Sequence, residues 1–405
     1  MTAVRTVAIV GGGQAASVAT RTLRRRGYDG SIVIFGDEPH RPYQRPPLSK
    51  EYLAEGDGSG LFLLPEDWTA THDVDVHTSA RVMALDAGAG RLVLEDGTTA
   101  QADAILLATG GRPRRLPGVE GSPVHYLRTK ADADSLRASI GPGARVVIVG
   151  AGFIGAEVAS SALSLGADVT VIEAAGVPLQ RVLGEQLGAV CAGIQRDANV
   201  DLRTGVAVNE VREEGENVVV DTSDGPIVGD VAVVAIGIVP NQELAEASGL
   251  VVGNGIHVDE YCRTSVPSVY AAGDVANQLH PLLGVRLRVE HFDNASKQAA
   301  VAANNILGRH TRSEDPHWFW SDQFGVNLQC VGHPSDSDEV ILRGDLESRD
   351  FTAFFLHEGK IRAAFSMNRG DDIAVARELI TMGASVPSAT LADTDMDLFD
   401  ALEMA

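Results

Sequence analysis

Two stretches of this chain carry glycines at a spacing suited to holding phosphates. Val7–Ala16 reads VAIVGGGQAA and Arg145–Glu157 reads RVVIVGAGFIGAE. Each is a β-branched run that stops at a G-x-G-x-x-G/A turn and continues as a small-residue helical pattern. Gly11 and Gly150 permit the tight turn, Gly13 and Gly152 let a pyrophosphate touch the backbone, and Ala16 and Gly155 allow close helix–strand packing. The intervening Gly12, Gln14 and Ala15, and Phe153 and Ile154, complete the two candidate cradles. Phosphates would lie at a helix N-terminus, where N–H groups and the dipole favour anions. A strand ending in a carboxylate follows each turn: SIVIFGDE supplies Asp37 and ADVTVIEAA supplies Glu173. A carboxylate there accepts hydrogen bonds from ribose hydroxyls and repels a 2′-phosphate. No Lys or Arg follows Glu173 before Arg181, so the second turn is expected to take NADH rather than NADPH. Two such turns imply two dinucleotides bound at once.

The elements that position these residues repeat. After the first turn come the polar turn Glu95-Asp96-Gly97 and the strand AILLATGGRP, holding Ala108, Thr109 and Gly110. After the second come NVVVDTSDGP and VAVVAIGIVPN, holding Gly237. Gly11 to Gly110 and Gly150 to Gly237 are similar spacings, so the duplication predicts an α/β chain with two Rossmann-like dinucleotide-binding domains. SVPSVYAAGDVA, with Gly273 and Asp274, reads as a returning strand of the first domain, which would then be discontinuous. Asn294–Leu307 has helical spacing, and the polar Gly308–Pro316 reads as a linker. From about His317, strand-like runs alternate with turn residues and end in a helical stretch, Asp372–Met382, predicting a C-terminal α+β domain. The expected boundaries are 1–112 and 239–316 for the first domain, 113–238 for the second and 317–405 for the third. Only the acidic tail around Asp393–Asp397 reads as a solvated, disordered surface.

Composition narrows the function classes. The 405 residues suit two or three domains. A net charge of −22 argues against nucleic acid or an anionic membrane as partner. No uncharged apolar run approaches about 18 residues, and the N-terminus leads almost directly into a strand, so a cytoplasmic protein is expected. Cys191, Cys262 and Cys330 are far apart in sequence and form no C-x-x-C pair, so neither a dithiol nor a metal site is read, and buried free thiols are expected.

The motifs GGGQAA, RPYQRPPLSK, LLATGGRPR, GAGFIGAE, AIGIVPN, VYAAGDVA and WFWSDQ, in this order, resemble those of the FAD- and NADH-dependent ferredoxin reductases coupled to oxygenases, the putidaredoxin-reductase-like group. The resemblance spans essentially the whole chain and implies a glutathione-reductase-like fold, an NADH:ferredoxin oxidoreductase activity and a [2Fe–2S] ferredoxin that serves a cytochrome P450-type monooxygenase or a Rieske dioxygenase. It implies that FAD is held by the first glycine turn, Asp37, Arg45, Lys50, the Val82 backbone, Ala108–Gly110, Arg128, Gly273, Asp274, Phe292 and Trp320. NADH would be held by the second turn, Glu173, Arg181 and Gly237. Lys50 would lie near the flavin N5/O4 edge, paired with Glu157 under the nicotinamide. Trp320 would lie against the isoalloxazine system.

Three departures from the family pattern stand out: Ala16 for the third glycine, His291-Phe292-Asp293 near the flavin, and Ala300 where relatives carry a basic docking residue. Lys297, Arg309 and Arg312 are therefore the expected local basic patch for an acidic ferredoxin. Two other readings share the resemblance: an NADH-binding switch similar to apoptosis-inducing factor, and a rubredoxin reductase. A disulfide or peroxide reductase is disfavoured, because no cysteine precedes Cys191.

Overall fold

A computed structural model describes residues 4–116, 124–215, 217–335 and 337–404. The chain divides into two compact units. The first comprises Met1–Arg45, Gly58–Arg112 and Ile238–Asp315, and the second comprises Pro46–Asp57, Pro113–Gly237 and Pro316–Ala405.

Each unit is built on a five-stranded parallel sheet whose central strand leads into a glycine turn. In the first unit Thr6–Val10 has Ser31–Phe35 and then Val74–His77 on one side, and Ala104–Leu107 and then Val269–Ala271 on the other. In the second, Arg145–Val149 has Asp168–Glu173 and then Asp201–Thr204 on one side, and Val231–Val234 and then Val124–His125 on the other. Strand order thus reverses beside the central strand in both, the place where open α/β sheets bind ligands. The central strands read almost entirely apolar because helices cover one face and other packed elements the other. Each sheet carries a three-stranded antiparallel excursion, Val82–Asp86 to Thr99–Gln101 in the first and Val208–Glu214 to Gly225–Gly229 in the second.

Residues 46–57 pack with the second unit, not with the first domain to which sequence order assigns them. Leu53 joins Leu136 and Val158 in one core. The Arg137 guanidinium donates to the carbonyls of Leu53, Ala54 and Glu55 at 2.6–3.1 Å, satisfying the C-terminal end of the short helix Glu51–Glu55. The second unit also contains the C-terminal antiparallel sheet, in the order Trp318–Gln323, Val326–Gly332, Lys360–Met367, Asp350–His357, Glu339–Asp345. One face of that sheet shares a core with Leu183, Leu187 and Cys191 of the helix Gln180–Asp197.

The acidic tail is folded, contrary to its reading as disordered. It forms helices Ser388–Ala392 and Asp400–Met404, and Leu391, Leu398 and Ala401 are buried against Ile373 and Leu379 of the helix Gly370–Met382. Buried Arg343 donates to the carbonyls of Asp393 and Met396 and is paired with Asp372, so one cation satisfies tail carbonyls that a composition-based reading left to solvent. Among the described residues no helix is long and apolar enough to cross a membrane.

All three cysteines are buried and free. Burial pushes the thiols of Cys191 and Cys330 up to about 12 and raises that of Cys262 as well. Titration of native protein with an aromatic disulfide reagent at pH 8 should therefore release no thiolate promptly, and the same assay in denaturant should count three thiols per chain. A rapid native phase would contradict this packing.

Candidate functional site

Both glycine turns are shaped as the spacing requires. Gly11 has φ +123°, and a Cβ there would lie 2.1 Å from the Ala108 carbonyl oxygen; Gly150 has φ +104°, with Ala235 in the same position at 2.5 Å. Gly155 also cannot carry a side chain, since its Cβ would meet the Gly150 carbonyl oxygen at 2.0 Å. Ala16, its counterpart, is fully buried without such an obstacle, so the first cradle tolerates the methyl group that the second excludes.

Helices Gln14–Arg25 and Phe153–Ser164 start at Gly13 and Gly152, and neither start is capped by a side chain. Nothing lies within 4 Å of where a Cβ of Gly13 or Gly152 would stand. Each turn is thus an open cradle of backbone N–H groups at the positive end of a helix. Buried Gln14 Oε1 has no hydrogen-bond partner among the described residues, while its amide donates to Ser296 at 2.8 Å. These features fit a dinucleotide pyrophosphate at each turn.

In the first unit the remaining expected residues gather around the cradle. A Cβ of Gly273 would touch both Ala15 and Ala295, which brings the Gly273-Asp274 turn against the starts of two helices. Gln298 accepts the Gly273 N–H at 3.0 Å and Arg288 donates to the Asp274 carbonyl at 3.1 Å, fixing that turn from both sides. Asp274 is half-buried, and Phe292 opens the helix Phe292–Ile306. Thr109 exchanges hydrogen bonds with Asn241 at 2.7 and 2.9 Å, which sets the Ala108–Gly110 segment. Asp37 is exposed just past the end of Ser31–Phe35, and Val82 is buried at the start of the antiparallel excursion.

Arg45 belongs to a triad absent from the sequence reading. It donates to Glu38 at 2.7 Å and to Tyr43 at 2.9 Å, and the Tyr43 hydroxyl donates to Glu38 at 2.5 Å. Burial alone would lower the Arg45 guanidinium, but Tyr43, Glu38 and Asp274 outweigh it and hold its pKa above the ordinary value.

In the second unit Glu173 is locked by backbone donors. Its Oε2 accepts the Ala151 N–H and its Oε1 the Ala175 N–H, both at 2.9 Å. The carboxylate is therefore aimed at the glycine turn. Ile154, Arg181 and Gly237 are exposed, and Phe153 packs edge-on against Phe319 at 4.6 Å. Arg128 is half-buried just before the helix Lys130–Ser139, and Trp320 stacks on Trp318 with centroids 5.2 Å apart.

Glu157 is joined to three side chains of this unit. It is 3% exposed, on the helix that starts at the second cradle. Lys50 Nζ lies 2.9 Å from Oε2, with its side chain 14% exposed. Ser49 donates to Oε2 at 2.5 Å and Ser321 donates to Oε1 at 2.6 Å. Ser161, one helical turn beyond Glu157, donates to the Ser49 carbonyl at 2.7 Å and so fixes the same segment again. The two serines were missed from sequence, although each sits in a singled-out motif, beside Lys50 in PPLSK and beside Trp320 in WFWSDQ.

Two members of the expected basic patch are ion-paired. Lys297 is ion-paired with Asp293 at 2.7 Å, its side chain only 20% exposed, and Arg312 is paired with Glu260 at 3.5 Å. Asp293, one turn earlier on the same helix, takes up the charge of Lys297, while Arg309 and Arg312 are both exposed.

Two parallel-sheet units, each with an open phosphate cradle at its switch point, define an oxidoreductase that uses two dinucleotides. Residues 5–299 match the family model described as pyridine nucleotide-disulphide oxidoreductase, and residues 318–402 match that described as reductase C-terminal. The chain is 41% identical over 395 residues to the anthranilate 1,2-dioxygenase system ferredoxin–NAD(+) reductase component of Burkholderia cepacia, covering 96% of this chain and 97% of that one. It superposes on putidaredoxin reductase in its covalent complex with putidaredoxin with a TM-score of 0.96, at 34% identity and 100% and 99% coverage. The ferredoxin reductase for the CYP199A2 system of Rhodopseudomonas palustris gives a TM-score of 0.94, at 36% identity and 98% and 99% coverage. The chain belongs to the pyridine nucleotide-disulphide oxidoreductase family, in the branch that carries the reductase C-terminal domain.

Removing one member of the Lys50–Glu157 pair strands a buried charge. Lys50→Met should cost about 3 kcal/mol in urea unfolding, and the double variant Lys50→Met/Glu157→Met should regain most of it. A double variant less stable than either single one would mean that the pair stabilises the fold in its own right.

Proposed function

We propose that this chain is an NADH:ferredoxin oxidoreductase, passing electrons from NADH through bound FAD to a [2Fe–2S] ferredoxin that serves an oxygenase. The observation that carries the reading is the presence, in one chain, of two open pyrophosphate cradles with carboxylates of different setting. Relatives named for a dioxygenase system and for a P450 system support the acceptor and its two classes of oxygenase. Although the family is named for disulphides, the chain's three thiols are buried and none precedes Cys191, so disulfide chemistry has no nucleophile. The relatives are bacterial, which supports a cytoplasmic setting.

FAD, when bound, accepts a hydride and releases electrons one at a time, which no side chain can do. The protein's part is to bind, orient and set charge. The first cradle, Asp37, the Ala108–Gly110 segment and Arg45 hold the adenosine and pyrophosphate half of FAD, and Asp274 takes ribityl hydroxyls. The second cradle and Glu173 hold NADH. Lys50, kept in place by Glu157, would supply a cation to counter the negative charge that develops when a flavin is reduced. In the first unit Phe292 and the Val82 backbone would add contacts to FAD, and in the second Phe153, Ile154, Arg181 and Gly237 would add contacts to NADH.

Cofactor choice follows from Glu173. With both oxygens tied to backbone N–H groups, the carboxylate cannot turn away from a 2′-phosphate. A charged hydrogen bond is worth roughly 1.5–3 kcal/mol, so kcat/KM should favour NADH over NADPH by about ten- to a hundredfold. Equal values for the two nicotinamides would refute the assignment of this carboxylate.

The activity itself is tested by supplying NADH, catalytic amounts of the holoprotein and either a panel of [2Fe–2S] ferredoxins or glutathione disulfide. Ferredoxin bleaching in at least one case, with no loss of the disulfide, is expected. Turnover of the disulfide with no ferredoxin reduced would overturn the proposal.

A further inference from the structure

We infer that Ser321 and Ser49 are positioning residues that hold Glu157 in the one orientation from which it aims Lys50. This deepens the reading above and rests on Lys50 serving the flavin. Among the described residues the Glu157 carboxylate has three donors: Lys50 and Ser49 on Oε2 and Ser321 on Oε1. At 3% exposure, water is in no position to replace any of them. Ser321 is fully buried and supplies the only donor to Oε1, so without it that oxygen keeps its desolvation and loses its partner.

The direction of the Ser321 bond is set from behind. Gln323 Nε2 donates to Ser321 Oγ at 3.2 Å, which uses the hydroxyl as acceptor and leaves its proton for Glu157. The strand Trp318–Gln323 is held at a second point, because the Phe324 N–H donates to Ser160 at 2.8 Å. Ser160 and Glu157 lie three residues apart on one helix, so the strand end and Ser321 are registered against a single helical face. On the Lys50 side, Ser49 occupies Oε2 jointly with the ammonium, and Ser161 secures the Ser49 backbone. The side chain of Glu157 is thus fixed at both oxygens, and Lys50 can meet it from one direction. Adjacent residues of a strand face opposite ways, so the strand that buries Ser321 turns Trp320 outward, where it is half-buried.

The test uses the holoprotein and the variants Ser321→Ala, Ser321→Thr, Lys50→Met and Glu157→Gln. Ser321→Ala should slow flavin reduction by NADH in stopped flow about tenfold, while changing the Kd for NADH by less than about twofold. Its flavin midpoint potential should move in the same direction as that of Lys50→Met, and Ser321→Thr, which keeps the hydroxyl, should restore both rate and potential. In the Glu157→Gln background, Ser321→Ala should have almost no further effect, because its partner is already altered. If Ser321→Ala keeps wild-type rate and potential while Lys50→Met and Glu157→Gln do not, the inference fails and the functional reading stands. An undiminished Ser321→Ala effect in the Glu157→Gln background would also sink it. If Lys50→Met itself reduces normally at an unchanged potential, the reading of Lys50 fails and takes the inference with it.

Discussion

A carboxylate with almost no access to water cannot be left unsatisfied, and in the second unit that carboxylate is Glu157. The groups that satisfy it come from two stretches of chain distant from its own helix Phe153–Ser164: Ser49 and Lys50, and Ser321. This requirement explains why residues 46–57 leave their sequence neighbours and pack with the second unit. It also places the anion of the charged pair on the same helix whose first turn forms the second phosphate cradle. Gly152 of the cradle and Glu157, the partner of Lys50, are five residues apart at the start of this helix. Buried pairs of this kind add little net stability compared with apolar packing, so their value lies in fixing where a charge points.

The two cradles are copies that have diverged in their surroundings. Gly155 is confined by the Gly150 carbonyl, whereas the first cradle accommodates the methyl group of buried Ala16. The ribose carboxylates differ more. Glu173 is held by two backbone donors, while Asp37 is exposed at its strand end and the neighbouring Glu38 is engaged by Tyr43 and Arg45. Differences of this sort suit one cradle to a resident cofactor and the other to a ligand that comes and goes.

Much of this was legible in sequence for identifiable reasons. A positive φ at Gly11 and Gly150 and the Gly150 carbonyl against Gly155 are demands that a short glycine motif carries by itself, so these turns could be read directly. Alternating strands marked the C-terminal sheet, and the widely separated cysteines are free and buried. What was hidden depends on contacts distant in sequence. Ser49 and Ser321 look like ordinary polar residues until Glu157 is seen between them. The acidic tail, whose Asp393, Asp395 and Asp397 are indeed exposed, looked disordered because Arg343, some fifty residues upstream, supplies the donors that order it. Lys297 looked available for docking because charge counting ignores Asp293 one turn away on the same helix.

The central claim is that two dinucleotides occupy the chain together, one resident and one exchanging. The most direct measurement is native mass spectrometry of the purified protein before and after addition of NAD(+). One FAD per chain at the outset, and a complex holding both FAD and one NAD(+) afterwards, is the predicted result. Displacement of FAD by NAD(+), or a chain that never carries more than one dinucleotide, would contradict the account.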